Sequence, residues 1–276
     1  MSPRSLLLHR KPTLGVLACL ALLWAARAAL AADLTVEEIV DRHIKARGGL
    51  EKIKSVQTLR ETGLATSGAD RQAVVTRLLK RPHKARFEAT RQGVTSVIVS
   101  DGEQGWKMSP FEGDTAPIKL NDEVIKESIE QGDIEGPLVD WRKKGHQVDL
   151  AGRVVVDGHD TYKLKLTLQS GAVRTEYLDA HSFQRLRTES TRLVNGRGID
   201  ISTTFADYKR TDGLAFPRTI DIQAAGRPQG MHVEVKKVEV NPPLNDALFE
   251  MKAVPEVPSA KPAGAKPPSK PQPQKP

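Results

Sequence analysis

The pattern that decides the fold is a strict alternation of apolar and polar side chains in Tyr162-Lys163-Leu164-Lys165-Leu166-Thr167-Leu168. Successive side chains of a β-strand point to opposite faces, so the alternation predicts a strand with one buried and one solvated face. The same period of two recurs later in the chain, at Ile199, Ile201, Thr203 and Phe205, at Ile220 and Ile222, and at Val233 and Val235. Together these segments predict an antiparallel meander.

Turn dipeptides separate the predicted strands at Asp101-Gly102, Asp157-Gly158, Asn195-Gly196 and Asp212-Gly213. An Asp-Gly or Asn-Gly pair adopts the positive φ angles that a two-residue hairpin turn needs. The spacing of these pairs therefore supports hairpin connections between neighbouring strands.

A helical pair precedes the strands. Thr35 and Glu38 form a capping box, and the apolar residues Val36, Ile39, Val40 and Ile44 that follow share one helical face. Gly48-Gly49 is expected to end this helix, and a second short helical segment carries Leu50, Ile53 and Val56. We expect the pair to cover one face of the sheet.

Between residues 121 and 145 the alternation stops. Val124, Ile125 and Ile129 have helical spacing, and Leu138 and Trp141 continue the amphipathic trend after Gly136-Pro137. We predict a helical insertion here. Two interpretations stay open: a lid over the sheet, or a surface crossover with Trp141 in the core.

The two ends of the chain differ in composition from its centre. Residues 1–31 have a basic start, an apolar run over residues 14–24 and Ala29-Leu30-Ala31, which is typical of a secretory signal peptide cleaved after Ala31. An alternative is cleavage and lipid anchoring at Cys19, because Val16-Leu17-Ala18-Cys19 resembles a lipobox. Residues 32–254 are predicted to form one β domain.

Residues 255–276 contain eight prolines and four lysines, and they predict a disordered tail. The lysines suit contact with an anionic envelope membrane surface or a cell-wall polymer, and a solubilising tail without a partner is the alternative. The net charge of +8 comes mostly from the two ends, since residues 32–254 hold 34 basic and 33 acidic residues. A nearly neutral domain argues against a nucleic-acid partner.

Residue patterns for catalysis are absent from the sequence. Cys19 is the only cysteine, the seven histidines lack metal-ligand spacing, and neither a Gly-x-Ser-x-Gly motif nor a Gly-Lys-Ser/Thr motif occurs. We therefore expect no enzyme activity, no metal and no cofactor.

Three sequence segments in the second half of the chain resemble those of the periplasmic outer-membrane lipoprotein-sorting superfamily, the LolA/LolB-like proteins. They are Tyr177-Leu178-Asp179-Ala180 with Leu186-Arg187; Phe205-Ala206-Asp207-Tyr208-Lys209 with Asp212-Gly213-Leu214-Ala215-Phe216-Pro217; and Val238-Glu239-Val240-Asn241-Pro242-Pro243-Leu244 with Leu248-Phe249. Each segment corresponds to strands and turns, so the resemblance indicates the fold and carries over no catalytic residue. It spans residues 33–251.

The resemblance implies a mainly β protein with helices (α+β), whose curved antiparallel incomplete β-barrel encloses an apolar cavity under a helical lid. It implies a periplasmic, non-enzymatic carrier for lipid acyl chains or lipoproteins, and the alternative is an envelope sensor or scaffold that acts through protein contacts. We expect the ligand-binding residues to be Tyr162, Leu164, Leu166, Ile201 and Phe205 on the sheet, with Ile125, Ile129 and Trp141 from the insertion.

Overall fold

The computed structural model describes residues 34–68, 71–194 and 197–251. The predicted signal peptide, the Cys19 lipobox, the tail and the Asn195-Gly196 turn lie outside the described residues. Within them the α-helices are α1 (Val36–Arg47), α2 (Leu50–Ser55) and α3 (Asp122–Gly132), and short 3-10 helices occur at Pro110–Glu112 and Asp246–Phe249.

Fifteen strands make up the rest of the described secondary structure. They are β1 (Thr58–Ser67), β2 (Arg71–Lys80), β3 (Lys84–Arg91), β4 (Val94–Ser100), β5 (Gly105–Ser109), β6 (Asp114–Lys119), β7 (Gln147–Val156), β8 (His159–Thr167), β9 (Val173–Asp179), β10 (Arg185–Val194), β11 (Arg197–Ala206), β12 (Lys209–Thr211), β13 (Leu214–Phe216), β14 (Thr219–Ala224) and β15 (Met231–Val240).

Thirteen strands form one antiparallel sheet in the order β6-β5-β4-β3-β2-β1-β15-β14-β11-β10-β9-β8-β7, and β12 and β13 form a separate hairpin. In the part of the chain that the structure describes, the edge strands β6 and β7 do not pair with each other. The predicted curved, antiparallel and incomplete β-barrel is therefore confirmed. The alternating stretch that begins at Tyr162 lies in β8, near the β7 edge.

The hairpin turns follow the expected chemistry. Asp157 and Gly158 have φ angles of 49° and 82°, and Asp212 and Gly213 have φ angles of 50° and 80°. Positive φ at both central residues matches the right-handed twist of the flanking strands. In the Asp101-Gly102 turn, only Gly102 has a positive φ, and the Asp101 carboxylate accepts hydrogen bonds from the amides of Glu103 and Gln104.

Helix α1 begins and ends where the sequence predicts. The Thr35 hydroxyl accepts from the Glu38 amide, and the Glu38 carboxylate accepts from the Thr35 amide. Gly48 ends the helix with a φ of 127°, and a Cβ atom there would lie 2.6 Å from the Gly213 carbonyl oxygen. Glycine is therefore required at position 48 both by the backbone angle and by the close approach of the β12–β13 hairpin.

The predicted insertion is only partly helical. Helix α3 ends at Gly132, and residues 137–145 form turns instead of continuing the helix. Positive φ angles at Gly136, Asp140 and Gly145 are incompatible with a helix, and Pro137 disfavours helical geometry at the residue before it. Leu138 is nevertheless buried at 2 % exposure, and Trp141 packs against the same core.

The convex face of the sheet is covered by the end of the described chain. Leu78, Val97 and Val99 form a buried cluster with Leu244 and Phe249. Lys80 and Lys84 both pair with Asp246, at 3.0 and 2.9 Å. The concave face is thus the sheet surface left for the helices and for a site.

Candidate functional site: an apolar groove joined to a polar chamber

Strand register sets which side chains share the concave face. Leu59 lies opposite Leu79 and Val240, and the alternation continues outward to Phe87 and Ile98. In the other direction the same face carries residues of β15, β14, β11, β9 and β8, namely Val235, Val233, Ile220, Ile222, Phe205, Ile201, Glu176, Leu178, Leu164, Tyr162 and Leu166. The five strand residues predicted to bind a ligand therefore share one face.

An apolar groove of about 410 Å³ occupies the concave face over β1–β5, β14 and β15. The apolar side chains that point into it are Val75, Phe87, Ala89, Ile98, Ile220, Ile222, Met231, Val233 and Val235. Ile98 and Met231 are each 39 % exposed. Exposed apolar side chains in a concave surface are typical of a binding groove, because isolated proteins rarely leave such area uncovered.

The sequence prediction did not include this groove. A signal for it was present in β3, where Ala85, Phe87 and Ala89 alternate with Arg86 and Glu88. The alternation shows that β3 has one apolar face, but it does not distinguish a face that is packed from one that is open. The distinction depends on where α1 and α3 lie.

A smaller chamber of about 130 Å³ adjoins the groove, and both are lined by Glu61, Arg77 and Ile220. Its polar lining comes from distant parts of the chain and includes His43, Arg47, Asp133, Glu176, Gln184, Arg185 and Tyr208. Arg77 and Glu61 form an ion pair of 2.7 Å where the two spaces meet. The chamber is thus the polar end of an otherwise apolar concavity.

Arg47 and Tyr208 donate hydrogen bonds to backbone carbonyls in the wall of the chamber. The Arg47 guanidinium donates to the backbone carbonyls of Glu135 and Ile134, and burial, together with the nearby Arg185, lowers the pKa of Arg47 to about 10. The Tyr208 hydroxyl donates to the Arg185 carbonyl at 2.7 Å, and burial raises the pKa of Tyr208. Arg47 is therefore protonated and Tyr208 is neutral at neutral pH.

His43 is buried beside the chamber at 4 % exposure. Its Nδ1 lies 2.8 Å from the Phe183 carbonyl oxygen, which can only accept, so Nδ1 carries the proton. Burial, followed by the charge of Arg47, lowers the pKa of His43 to about 3. The imidazole is therefore neutral at neutral pH.

We predict that His43 makes the fold sensitive to acid. Its pKa is lower in the folded state than the ordinary 6.5, so the unfolded chain binds the proton first and stability is lost as the pH falls from about 6.5 towards 3. Between pH 7 and pH 4 the loss from this residue is roughly 2–4 kcal/mol. Urea unfolding at both pH values should show a smaller loss for His43→Gln than for the wild type, whereas equal losses would contradict the prediction.

Helix α3 bridges the two halves of the sheet on the concave side, and none of its residues lines the groove. Its Glu127 pairs with Arg192 and its Glu130 lies 3.7 Å from Arg174, so β9 and β10 hold one side of the helix. At its other side the helix packs against β3 and β4, and the Gln131 carbonyl accepts from Arg77 at 3.2 Å.

The predicted site residues fall into three groups. Tyr162, Leu164 and Leu166 are buried under α1 in one core cluster, against which Trp141 packs. Phe205 lines the polar chamber, with the Arg185 guanidinium 4.6 Å from its ring, and Ile201 is half-buried on the same strand. Ile125 and Ile129 lie on α3, buried and half-buried respectively. The structure thus brings the first group together without placing it in the groove, and ligand binding by all eight residues stays a prediction.

No group of three or more histidine, cysteine, aspartate or glutamate side chains in the described ranges is arranged to hold a metal ion. None of the helices among the described residues is long and apolar enough to span a membrane.

The sequence matches no protein-family model and no curated protein. Solved structures do match. A LolA superfamily protein from Nitrosomonas europaea has a TM-score of 0.54 at 15 % identity, over 79 % of this chain and 99 % of that one. A DUF1329 family protein from Desulfovibrio piger has a TM-score of 0.55 at 14 % identity, over 78 % and 97 %.

A domain from Vibrio parahaemolyticus assigned to outer membrane lipoprotein sorting has a TM-score of 0.53 at 14 % identity, over 77 % of this chain and 94 % of that one. The chain therefore has a LolA-like fold, which confirms the resemblance seen in the sequence.

Proposed function

We propose that this LolA-like protein is a non-enzymatic binding or carrier protein for lipid acyl chains or lipoproteins. We further propose that the acyl chain of the ligand lies in the apolar groove. The observation that carries the proposal is the groove of about 410 Å³, whose lining is mainly apolar and includes the exposed side chains of Ile98 and Met231. The Vibrio neighbour, which is assigned to lipoprotein sorting, supports the same class of cargo.

The physical basis of binding is the removal of hydrocarbon from water. Each buried CH₂ group contributes about 0.8 kcal/mol, so a chain of several methylenes is held without covalent chemistry. The groove also gains, because Val75, Phe87 and Ile222 lose contact with water when a chain covers them. Shape and hydrophobicity are sufficient for this function.

The proposal includes the location of the protein. Residues 1–31 have the pattern of a secretory signal, and a carrier of acyl chains is useful in a periplasm that lipids must cross through water. We further propose that Phe205 and Ile201 extend the binding face beyond the groove. Binding at Tyr162, Leu164 and Leu166 requires α1 to move off the sheet, because that helix covers them.

The test of the proposal is the lipid content of the protein purified from its native envelope. Mass spectrometry of an organic extract is expected to show acyl lipid in a stoichiometric amount, and the emptied protein is expected to take up a fluorescent fatty acid. Absence of lipid together with absence of uptake would contradict a carrier function.

We predict that the ion pairs of α3 control how fast the ligand exchanges. Glu127 and Glu130 face Arg192 and Arg174 across the concavity, and all four side chains are partly exposed. Pairs of this kind contribute about 0.5 kcal/mol each, so the double variant Glu127→Gln/Glu130→Gln should release a fluorescent fatty acid roughly fivefold faster in stopped-flow experiments.

Glu123→Gln is the matched control, because Glu123 is exposed on the first turn of the same helix. High salt should accelerate release from the wild type towards the rate of the double variant, since screening weakens exposed pairs. Identical rates for the wild type and the double variant at low salt would show that the pairs do not hold the helix.

A further inference from the structure

The polar chamber contains buried groups whose hydrogen-bonding capacity is not used by the described residues. Glu176 is 1 % exposed, and neither of its carboxylate oxygens accepts a hydrogen bond from the described part of the chain. Its nearest cation is Arg185, whose Nη1 lies 3.5 Å from the Glu176 Oε1. Burying polar atoms without hydrogen bonds costs roughly 1–3 kcal/mol per group, so their retention points to a ligand that satisfies them.

Two further atoms of the chamber wall share this property. The Arg185 Nε is a buried donor and the Gln184 Oε1 is a buried acceptor, and neither has a hydrogen-bond partner among the described residues. Gln184 uses its other amide atom, Nε2, to donate to the Ala46 carbonyl at 3.1 Å. The chamber therefore offers acceptors on Glu176 and Gln184 and a donor on Arg185 to whatever occupies it.

The unused hydrogen-bonding atoms match an uncharged ligand better than an ionic one. A carboxylate ligand has no proton to donate to the acceptors on Glu176 and Gln184, and the guanidinium groups of Arg47 and Arg185 repel a cation. The other charges on the wall are already paired, since Glu61 pairs with Arg77 at 2.7 Å and Asp133 with Lys144 at 2.6 Å. An uncharged group that both donates and accepts hydrogen bonds matches this arrangement best.

Position and size connect the chamber to the groove. Both spaces are lined by Glu61, Arg77 and Ile220, so a molecule lying in the groove has its end at the chamber. The chamber volume of about 130 Å³ is roughly four times the volume of one liquid water molecule, which suits a polar group of a few non-hydrogen atoms.

We propose that the chamber binds the uncharged, hydroxyl-bearing polar group of an amphiphile whose acyl chain lies in the apolar groove. The ligand hydroxyls donate to the Glu176 carboxylate and the Gln184 Oε1, and a ligand oxygen accepts from the Arg185 Nε. This inference rests on the proposed function and deepens it, because it names the class of polar group that the site selects.

The test compares three ligands with the same C16 chain: 1-monopalmitoylglycerol, methyl palmitate and palmitate. Each is titrated against the purified protein loaded with a fluorescent fatty acid, and displacement gives the relative affinity. Monopalmitoylglycerol is expected to bind about tenfold or more tightly than methyl palmitate, which has no hydroxyl donor, and more tightly than palmitate, whose carboxylate has no proton to donate to Glu176 or Gln184.

Glu176→Leu removes both acceptors with little change in volume, and it should reduce the preference for monopalmitoylglycerol over methyl palmitate to within about twofold. Glu234→Leu is the matched control, because Glu234 is exposed on the face of β15 that points away from the groove. This variant should keep the wild-type preference. If Glu176→Leu does not fold, the ratio of the wild-type affinities for monopalmitoylglycerol and methyl palmitate still tests the chamber assignment.

The outcomes separate this inference from the proposed function. Equal displacement by monopalmitoylglycerol and methyl palmitate would overturn the chamber assignment and leave acyl-chain binding intact. Tighter binding of palmitate would also overturn it, because the arginines would then set the specificity. If none of the three displaces the probe and the probe itself does not bind, the proposed function fails, and the chamber assignment fails with it.

Discussion

Val75→Asp is expected to weaken acyl-chain binding by about 100-fold or more. Val75 is half-buried on β2 and lines the groove opposite Gly63 and Ala89. A carboxylate at this position must lose water when hydrocarbon covers it, and leaving a charge without a partner in an apolar site costs several kcal/mol. A loss of about 2.8 kcal/mol already corresponds to 100-fold. Titration with a fluorescent fatty acid measures the effect.

The neighbouring residue supplies a matched control. Val74 is 56 % exposed and points to the opposite face of the same strand. Val74→Asp introduces the same side chain with the same strand propensity, but it should bind the fatty acid as the wild type does. Thermal unfolding of both variants checks that the strand is intact. Equal affinities for Val75→Asp and Val74→Asp would contradict the assignment of the groove.

Leu164→Ala is expected to destabilise the protein by about 3 kcal/mol, within the range of 2–5 kcal/mol for a buried leucine. Leu164 lies on β8 and is fully buried under α1, where it packs in one cluster with Ile39 and Leu138. The loss combines the missing burial with a cavity that the surrounding side chains cannot fill. For a domain of this size it lowers the unfolding temperature by roughly 6–12 °C, which calorimetry measures.

Val155→Ala is the control for this substitution, because Val155 is 73 % exposed on β7 and should change stability by less than about 0.5 kcal/mol. The same variants also test the sequence-based prediction that Leu164 binds the ligand. A residue that serves only the core leaves the affinity of the folded protein unchanged. A weaker affinity in folded Leu164→Ala would show that α1 moves and that the ligand reaches β8.

The architecture was predictable from local patterns because each pattern has one physical solution. The Thr35 and Glu38 capping box begins α1, Gly48 ends it, and the Asp157-Gly158 pair closes a hairpin. Helix prediction failed only over residues 133–145, where the positive φ angles of Gly136 and Asp140 are incompatible with the helix that the apolar spacing suggested.

The candidate site was less predictable, because alternation identifies an apolar face but not what covers it. Leu164 and Phe87 both alternate with polar neighbours, yet α1 buries the first and leaves the second in an open groove. The polar chamber could not be predicted from the sequence, for a different reason. Arg47, Glu176 and Tyr208 are far apart in the chain, and only the folded sheet places them around one space.

Photo-crosslinking with a fatty acid that carries a diazirine along its chain tests the central claim most directly. The emptied protein is loaded, irradiated and digested, and mass spectrometry locates the modified residues. We predict crosslinks on the groove strands, within residues 75–108 of β2–β5 and residues 220–235 of β14–β15. Crosslinks confined to β8 or to the convex face, or no crosslink above that of an unfolded control, would contradict the account.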